Sequence, residues 1–297
     1  MPVNTYWTDY VQTSEELYRS RALRFHEGNK DLWLRALGAR DGMDVLEVGC
    51  GGGIFCHRVK QYLPGTCVTG SDRDTGHIEW ATKKSAELGL DCQFVAGDAV
   101  DLPFPDGSFD LAFSHTVMNF CEPNAFVAEQ RRVLRPGGRI AILNVCAGVN
   151  SEIWKPDDSC PEKGLFDKLW AQADKNELSQ VKMHSLKPRD YPAYLEKAGF
   201  TGISLQVVAY AQYSPDSGDV SEGMALEQID ENRLSELCSV QHARALAPDA
   251  LTGDEYAQLV RMINGRFDER IRKYRAGEKL WDFSAGMVLC TAGVKGG

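Results

Sequence analysis

The stretch VLEVGCGGGIF, residues 45–55, joins a short apolar run to a loop with four glycines in five positions. The run DVLEV (44–48) has the length and composition of a buried strand, and IFCHRVKQYL (54–63) those of a helix. Glycine is favoured where the backbone adopts conformations that other residues avoid, or where another group approaches it closely. The stretch therefore predicts a strand, a loop approached by a ligand, and a helix.

Strands and helices alternate beyond this loop. The further predicted strands are CVTGSD (67–72), CQFVAGD (92–98), SFDLAFSH (108–115) and the run within PGGRIAILNVC (136–146). The helices between them are TGHIEWATKKSAELG (75–89) and NAFVAEQRRVL (124–134). Strands separated by helices pair in parallel through right-handed crossovers. We therefore predict a doubly wound α/β fold whose mainly parallel sheet is covered by helices on both faces.

Three parts are predicted along the chain. Residues 1–41 form an N-terminal helical cap, in which Asn29 begins a helix and Gly38 ends it. Residues 42–210 and 281–297 form the sheet core. A strand at 201–210 and the final strand FSAGMVLCTAGV bring the sheet to seven strands, and a helix at 191–200 capped by Asp190 precedes them. Residues 211–280 are a helical insertion before the last strand that forms a substrate lid, and 147–187 look like a second insertion.

An apolar stripe in the insertion repeats at steps of three and four residues. It consists of Tyr256, Val260, Ile263, Phe267, Ile271 and Tyr274. This spacing predicts one helix, which Asn264-Gly265 could kink or break, with an apolar face that must be buried. We expect the face to pack over the sheet or against a second subunit, with Phe267 or neighbouring aromatic residues near the substrate.

Composition narrows the class of protein. The chain is 43% hydrophobic with a formal net charge of −9, and no apolar run is long enough to span a membrane. The first twenty residues lack the pattern of a signal peptide, and the nine cysteines include no C-x-x-C pair, so we expect reduced thiols in the cytoplasm. The acidic balance argues against nucleic-acid binding. Two short basic clusters are expected to be solvated helix faces: Arg131, Arg132, Arg135, and Arg270, Arg272, Lys273, Arg275.

The glycine spacing separates three ligand classes. A phosphate loop requires a lysine after the last glycine, and none follows here. A dinucleotide loop requires G-x-G-x-x-G, but Ile54 or Cys56 stands where the third glycine belongs. The pattern that fits is acidic-x-G-x-G-x-G, formed by Glu47, Gly49, Gly51 and Gly53.

Four strings in this order carry a family resemblance: VLEVGCGGG, CVTGSD, FVAGDAVDLPFPDGSFDLAFS and EQRRVLRPGGRIAIL. Over about residues 40–146 the chain resembles class I S-adenosylmethionine-dependent methyltransferases, in particular the type 11 group that includes quinone-biosynthesis methyltransferases. The resemblance implies a Rossmann-like methyltransferase fold, S-adenosyl-L-methionine as the cofactor and no metal.

The resemblance also implies a cofactor site. Glu47 would hold the ammonium of the cofactor's amino-acid tail, Asp72 both ribose hydroxyls, and Asp98 the adenine amino group, with the Ala99 amide on the ring. The full predicted set is Glu47, Gly49, Cys50, Gly51, Gly53, Asp72, Arg73, Asp98, Ala99 and Ser114. Taken singly, Glu47 and Asp72 are also compatible with solvated acids at strand ends, and Asp98 with a turn residue.

Residues for catalysis are expected where the fourth strand ends. His115 is the candidate general base, since an imidazole titrates near neutral pH; the alternative is that it packs under the cofactor or bonds a backbone carbonyl. Asn119 and Asn144 are candidates for orienting the acceptor. In relatives the N-terminal helices often close over the cofactor, and here they carry Tyr6, Tyr10, Tyr18 and His26, which also suit an ordinary helix surface.

The acceptor is expected to be a small, partly apolar metabolite, with O- or C-methylation ahead of N-methylation. The lid segments carry the aromatic residues Trp7, Trp33, Trp154, Trp170 and Trp281. The flanks of Cys50 and Cys146 do not match RNA cytosine methyltransferases, and [DN]-P-P-[YF], typical of base amino-group methylation, is absent. A protein or RNA methyltransferase and a cofactor-binding module without turnover remain alternatives. The chain is expected to act as a monomer or homodimer.

Overall fold

The computed structural model describes residues 8, 13–22, 24–145, 161–180, 184 and 186–297. Five residues considered above lie outside these ranges: Tyr6, Trp7, Tyr10, Cys146 and Trp154. Within the described ranges, no helix is both long enough and apolar enough to cross a membrane.

Seven strands form one sheet in the order β3-β2-β1-β4-β5-β7-β6. They are β1 Asp44–Val48, β2 Cys67–Asp72, β3 Gln93–Ala96, β4 Phe109–His115, β5 Leu134–Asn144, β6 Phe200–Gln212 and β7 Ser284–Lys295. Strands β1 to β5 pair in parallel, and β7 runs antiparallel to β5. The predicted seven-stranded, mainly parallel sheet is confirmed.

The α-helices lie between and around these strands. They are α1 Ser14–Ala22, α2 Lys30–Leu37, α3 Ile54–Tyr62, α4 Thr75–Glu87, α5 Pro123–Val133, α6 Lys163–Gln180, α7 Asp190–Lys197, α8 Glu222–Leu246 and α9 Gly253–Arg275. Gly38 ends α2 with φ 76°, as expected. Asn29 and Asp190 do not cap in the expected way, because their side chains accept from the His26 and Lys187 amides, respectively, and not from the helices that follow.

Contacts divide the chain into two compact units. The sheet unit comprises Phe25–Ser151, Met183–Tyr210 and Gly286–Gly297, and the helical unit comprises Met1–Arg24, Glu152–Lys182 and Ala211–Ala285. This division differs from the expected parts in placing α2 with the sheet and Glu152–Lys182 with the helices. The role of the helical insertion as a substrate lid stays a prediction.

Helix α2 belongs to the sheet unit because of its buried face. Trp33 and Leu37 are fully buried, and the Leu37 carbonyl accepts a 2.9 Å hydrogen bond from the Arg139 side chain of β5. The Trp33 ring lies 5.8 Å from the Phe55 ring. Trp33 is therefore part of the core beside the sheet, contrary to its expected place in a lid.

The apolar stripe of α9 is buried inside the helical unit. Ile263 and Phe267 belong to one core cluster with Leu169 of α6 and Ile229 of α8. The Arg266 guanidinium lies 4.6 Å from the centre of the Phe267 ring. Neighbouring helices of the same unit thus bury this face. This packing explains the burial of the stripe without a substrate, and the position of Phe267 near the substrate stays a prediction. Helix α9 also continues through Asn264-Gly265 without a break.

An ion-pair cluster closes the helical insertion. Arg270 of α9 pairs with Asp216 at 2.9 Å and with Asp282 at 2.6 Å. Asp216 also accepts hydrogen bonds of 2.8 Å from the amides of Leu280 and Trp281. Arg270 is only 6% exposed, so the expectation that it lies on a solvated face is wrong: two carboxylates compensate its buried charge.

Candidate functional site

Every second residue of the glycine loop between β1 and α3 has a left-handed backbone conformation. Gly49, Gly51 and Gly53 have φ angles of 72°, 50° and 79°, which lie in the left-handed region. Residues with a Cβ avoid this region, so the G-x-G-x-G spacing follows from the backbone itself.

Packing adds a second requirement for glycine at two of these positions. A Cβ on Gly49 would collide with the side chain of Val117, and a Cβ on Gly53 would lie 2.8 Å from the Phe94 ring. The loop therefore packs closely against the turn after β4 and against β3. This contact within the protein is a reason for glycine that the sequence did not reveal.

The end of β2 holds the loop in place. The Ser71 carbonyl accepts hydrogen bonds from the amides of Gly49 and Cys50, at 2.7 and 3.0 Å. The Asp72 carboxylate accepts from the Gly51 amide at 2.9 Å. Sequence reasoning missed Ser71, because a contact made by a carbonyl leaves no signal in residue type.

Glu47 lies beneath the loop with only 2% of its surface exposed. Its Oε2 accepts hydrogen bonds from the Cys56 amide at 3.1 Å and from the Cys56 Sγ at 3.0 Å. Cys56 is the third residue of α3, whose N-cap residue, Gly53, has no side chain. Glu47 thus satisfies a helix amide that a capping side chain normally satisfies.

The pKa of the Glu47 carboxyl is raised well above its ordinary value. Burial raises its pKa to about 8, and the nearby charge of Asp72 adds to this effect, while the hydrogen bonds from Cys56 oppose it. Within the described residues, no lysine or arginine forms an ion pair with Glu47. The site therefore contains a buried carboxyl group that no cation in the described part of the chain compensates.

Asp72 stands at the end of β2, next to β1 in the sheet. Its second oxygen, Oδ1, accepts a 3.0 Å hydrogen bond from the Asp74 amide. Burial raises the pKa of the Asp72 carboxyl, against backbone hydrogen bonds that lower it. Arg73 follows with an exposed side chain. Glu47 and Asp72 thus place two carboxyl groups on either side of the glycine loop.

Asp98 and Ala99 follow β3, which ends at Ala96 and so is shorter than predicted. The Asp98 side chain is exposed, and its Oδ1 accepts a 3.1 Å hydrogen bond from the Val100 amide. This is the turn geometry that we named as an alternative for Asp98. On β4, Ser114 is buried, and its Oγ has no hydrogen-bond partner among the described residues.

His115 is the last residue of β4 and is 8% exposed. It lies on the same face of the sheet as Glu47, because Glu47 pairs with Phe113 in the β1–β4 register and His115 is two residues further on. Its ring packs against Phe25 and Phe55, with centroid distances of 5.3 and 5.2 Å. The structure thus brings His115 to the carboxyl edge of the sheet in an aromatic setting.

Known proteins resemble this chain in sequence and in fold. A family model described as a methyltransferase domain matches residues 46–142. Demethylmenaquinone methyltransferase from Deinococcus radiodurans is 33% identical over 147 residues, which cover 46% of this chain and 61% of that protein. Phthiotriol/phenolphthiotriol dimycocerosates methyltransferase from Mycobacterium tuberculosis is 32% identical over 191 residues, which cover 62% of this chain and 68% of the relative.

The chain belongs to the S-adenosylmethionine-dependent methyltransferases. Haemonchus contortus phosphoethanolamine N-methyltransferase 2, solved with phosphomonomethylethanolamine and S-adenosylhomocysteine, has the same fold, with a TM-score of 0.56 and 16% identity. That match covers 98% of this chain and 59% of the neighbour. The fold, enzyme class and cofactor predicted from the sequence are thereby confirmed.

The methyltransferase has a polar cluster beyond the ends of β4 and β5. The Asn119 Oδ1 accepts a 2.7 Å hydrogen bond from the buried Tyr191 hydroxyl and a 3.4 Å bond from the Asn144 amide group. The Asn119 carbonyl accepts from the His184 amide at 2.7 Å. Sequence reasoning named both asparagines but missed Tyr191, which lies more than seventy residues away on α7.

One N-terminal candidate, His26, has a structural role in the methyltransferase. The His26 Nδ1 accepts a 3.1 Å hydrogen bond from the Gly28 amide and so caps the short 3-10 helix Glu27–Asn29. Tyr18 lies on α1, in the helical unit. Within the described residues, no group of histidine, cysteine, aspartate or glutamate side chains is arranged to hold a metal ion.

Proposed function

We propose that this methyltransferase binds S-adenosylmethionine over the glycine loop and methylates a small, partly apolar acceptor at oxygen or carbon. The observation that supports this most directly is the buried Glu47 carboxyl, which has no cationic partner among the described residues. A buried carboxyl is stabilised as a carboxylate when a cation binds beside it. The ammonium of the cofactor's amino-acid tail is such a cation.

The other site residues fit the remaining parts of the cofactor. Asp72 has two carboxylate oxygens that each accept one backbone hydrogen bond, which leaves acceptor capacity for two ribose hydroxyls. Asp98 and Ala99 would meet the adenine, while Cys50, Gly53, Arg73 and Ser114 flank the site. When bound, the cofactor supplies a methyl group on a positively charged sulfur; the protein supplies position and a base.

The class of acceptor follows from three observations taken together. The relatives are named for demethylmenaquinone and for phthiotriol dimycocerosates, which are small molecules and not proteins or nucleic acids. The Asn119–Tyr191 pair lies beyond β4 and offers polar groups for orienting an acceptor. His115 at the same edge provides a base, which oxygen and carbon acceptors need because each must lose a proton.

We also propose that the helical unit provides the acceptor-specific part of the site. Its insertion connects to β6 and β7, and the last residues of β5, Leu143 and Asn144, pair with Cys290 and Leu289 of β7. The chain therefore enters β7 at the carboxyl edge of the parallel strands, where ligands bind in this type of sheet.

The cofactor part of the proposal is tested by calorimetry with S-adenosylhomocysteine. We expect Asp72→Ala to lose about 2–4 kcal/mol of binding free energy, since a charged hydrogen bond contributes about 1.5–3 kcal/mol. Asp31→Ala, which removes an exposed carboxylate from α2, is the matched control and should bind as the wild type does. An unchanged dissociation constant in folded Asp72→Ala would remove Asp72 from the site.

The acceptor part is tested by a screen with methyl-labelled cofactor. Quinols, hydroxylated and carboxylated lipids and small phenols are offered alongside protein and RNA fractions. We expect label in one of the small-molecule classes and in neither macromolecular fraction. Label in protein or RNA alone would favour the first alternative function. Tight binding of S-adenosylhomocysteine without any labelled product would favour a module without turnover.

A further inference from the structure

The two edges of the sheet differ in how they are protected. Strand β3 at one edge has only four residues, and the exposed side chains of Asp91 and Asp98 flank it. Strand β6 at the other edge has thirteen residues, Phe200–Gln212, and none of them is charged or a proline. Natural sheets blunt their edges with short strands, charged side chains or prolines, because an open edge presents unpaired backbone groups to other chains. Strand β6 lacks all three.

One side of β6 is open to a further strand. The strand order places β6 last, so β7 pairs with one side of it and the other side is the edge of the described sheet. Among the residues that the structure describes, no backbone hydrogen bond outside the sheet involves residues 200–212. The outer side therefore presents a row of amide and carbonyl groups that are suited to pair with another β-strand.

Two exposed apolar side chains lie in the middle of this edge strand. Leu205 and Val207 are 49% and 54% exposed. They are two residues apart, so both project from the same face of the strand. Phe200 and Val208, which project from the opposite face, are buried. Strand β6 thus packs one face into this chain and leaves apolar side chains on the other face uncovered.

Charge favours a second copy of the chain as the partner of this edge. The chain has a formal net charge of −9, so two copies repel each other. Strand β6 carries no charge, so two acidic copies meet there with little local repulsion. A two-fold axis brings identical patches together, and such a patch must therefore complement itself.

Antiparallel pairing of two β6 strands gives this complementarity. When Gln206 lies on the two-fold axis, Leu205 of each copy lies opposite Val207 of the other copy, and all four side chains project from one face. A two-fold axis along the strands would pair them in parallel and would invert the faces, which separates the apolar side chains of the two copies. The antiparallel arrangement is therefore the one that buries Leu205 and Val207 together.

We propose that two copies of the chain form a dimer by antiparallel pairing of β6 with β6, centred on Gln206, so that the two seven-stranded sheets join into one continuous sheet. Backbone hydrogen bonds and the Leu205–Val207 pairs hold the two copies together. Three strands, β4, β5 and β7, separate β6 from β1 and its glycine loop. The dimer thus goes beyond the proposed function and does not depend on it.

Sedimentation equilibrium of the full chain tests the dimer. We expect the wild type to show a reversible equilibrium between monomer and dimer. Val207→Lys places a charge opposite Leu205 twice in each dimer and should raise the dissociation constant at least about tenfold. Leu88→Lys, which makes a similar change at an exposed apolar residue after α4, is the matched control and should dimerise as the wild type does. Circular dichroism and thermal unfolding check that both variants are folded.

A disulfide bond tests the register of the two strands. Directly opposed Cα atoms of an antiparallel pair lie about 4.5–5.5 Å apart, which a disulfide spans. Gln206→Cys should therefore give, under mild oxidation, a peptide linked through residue 206 of both copies. Mass spectrometry distinguishes this peptide from links through the nine native cysteines. Thr201→Cys is the control, because its two copies would lie about 34 Å apart at about 3.4 Å per residue and should not link.

Three results would overturn the inference: a wild type that stays monomeric at every concentration, a folded Val207→Lys variant that dimerises as the wild type does, or a Gln206→Cys variant without the 206–206 link. A monomeric wild type would leave the edge to a strand of a different protein. Both measurements use the chain without cofactor or acceptor, so their failure is distinct from a failure of the proposed function.

Discussion

At the scale of single residues, Glu47 combines a structural role with the proposed role in binding the cofactor. Its carboxyl caps α3 through the Cys56 amide, yet burial raises its pKa to about 8. The folded unliganded protein therefore keeps a proton on Glu47 that the unfolded chain releases at its ordinary pKa of 4.5. The contribution of Glu47 to stability is fully present below this value and is lost as the pH rises to about 8.

Glu47→Gln should consequently stabilise the unliganded protein at high pH. One pKa unit corresponds to about 1.4 kcal/mol, so we expect a gain of about 2–4 kcal/mol at pH 8 that disappears below about pH 4.5. The glutamine oxygen still accepts from the Cys56 amide, so the cap is kept. Thermal unfolding across this pH range measures the effect, with the exposed Glu79→Gln as control. Equal pH dependence in wild type and Glu47→Gln would contradict the raised pKa.

Residue types indicated some of these site residues but not the contacts that they make. An acid at a strand end before a glycine loop indicated Glu47, and an acid at the end of the next strand indicated Asp72. The sequence could not show that Cys56 donates to Glu47, because this contact depends on local backbone geometry. Trp33 was misplaced because an aromatic residue on a terminal helix has the same local pattern in a lid and in a core.

At the scale of elements, agreement is closest where a buried strand has a distinct composition. The bounds of β1 and β2 are as predicted. Strand β5 begins earlier, because Leu134 already pairs with Phe109, and the register then shifts so that Arg139 pairs with Leu111. The Pro-Gly-Gly run at the start of PGGRIAILNVC lies within this irregularity. Composition locates a strand, whereas irregular pairing depends on its neighbour.

The glycine loop gives a prediction with an internal control. Gly42 and Gly53 have similar φ angles, 82° and 79°, but a Cβ on Gly42 meets nothing within 4 Å, whereas one on Gly53 lies 2.8 Å from Phe94. Gly42→Ala should cost about 1–2 kcal/mol for the left-handed backbone alone. Gly53→Ala should cost about 1–3 kcal/mol more because of overpacking. Denaturant unfolding measures both, and equal losses would show that the contact with Phe94 relaxes freely.

At the scale of the whole molecule, each unit is assembled from three separate segments. The sequence predicted helices within 211–280 but none at α6, and it could not show that α6 and α8 share a core across more than forty intervening residues. Local periodicity shows that a helix has an apolar face, but it does not show which element covers that face. This is why the stripe of α9 was assigned to the sheet or to a second subunit.

The proposed binding of the cofactor over the glycine loop and of the acceptor at the helical unit predicts two separate patterns of hydrogen exchange. S-adenosylhomocysteine should slow amide exchange in residues 45–56 and 70–75 and leave α8 and α9 unchanged. Addition of the acceptor found in the screen should then slow exchange in the helical unit. Asp72→Ala at the same ligand concentration should show neither response. If S-adenosylhomocysteine alone protects α8 and α9 as strongly as the loop, the helical unit covers the cofactor and not the acceptor.

The Arg270 cluster has a consequence for how such enzymes diversify. Asp216 lies near the start of the insertion and Asp282 near its end, and one guanidinium binds both. The two ends of the insertion are therefore held together by the insertion itself. A transplant of this segment must bring α6 with it, because α6 shares a core with α8 and α9. Under the proposed role of the insertion in acceptor binding, its exchange together with α6 is a route by which a methyltransferase acquires a new acceptor while its cofactor loop stays untouched.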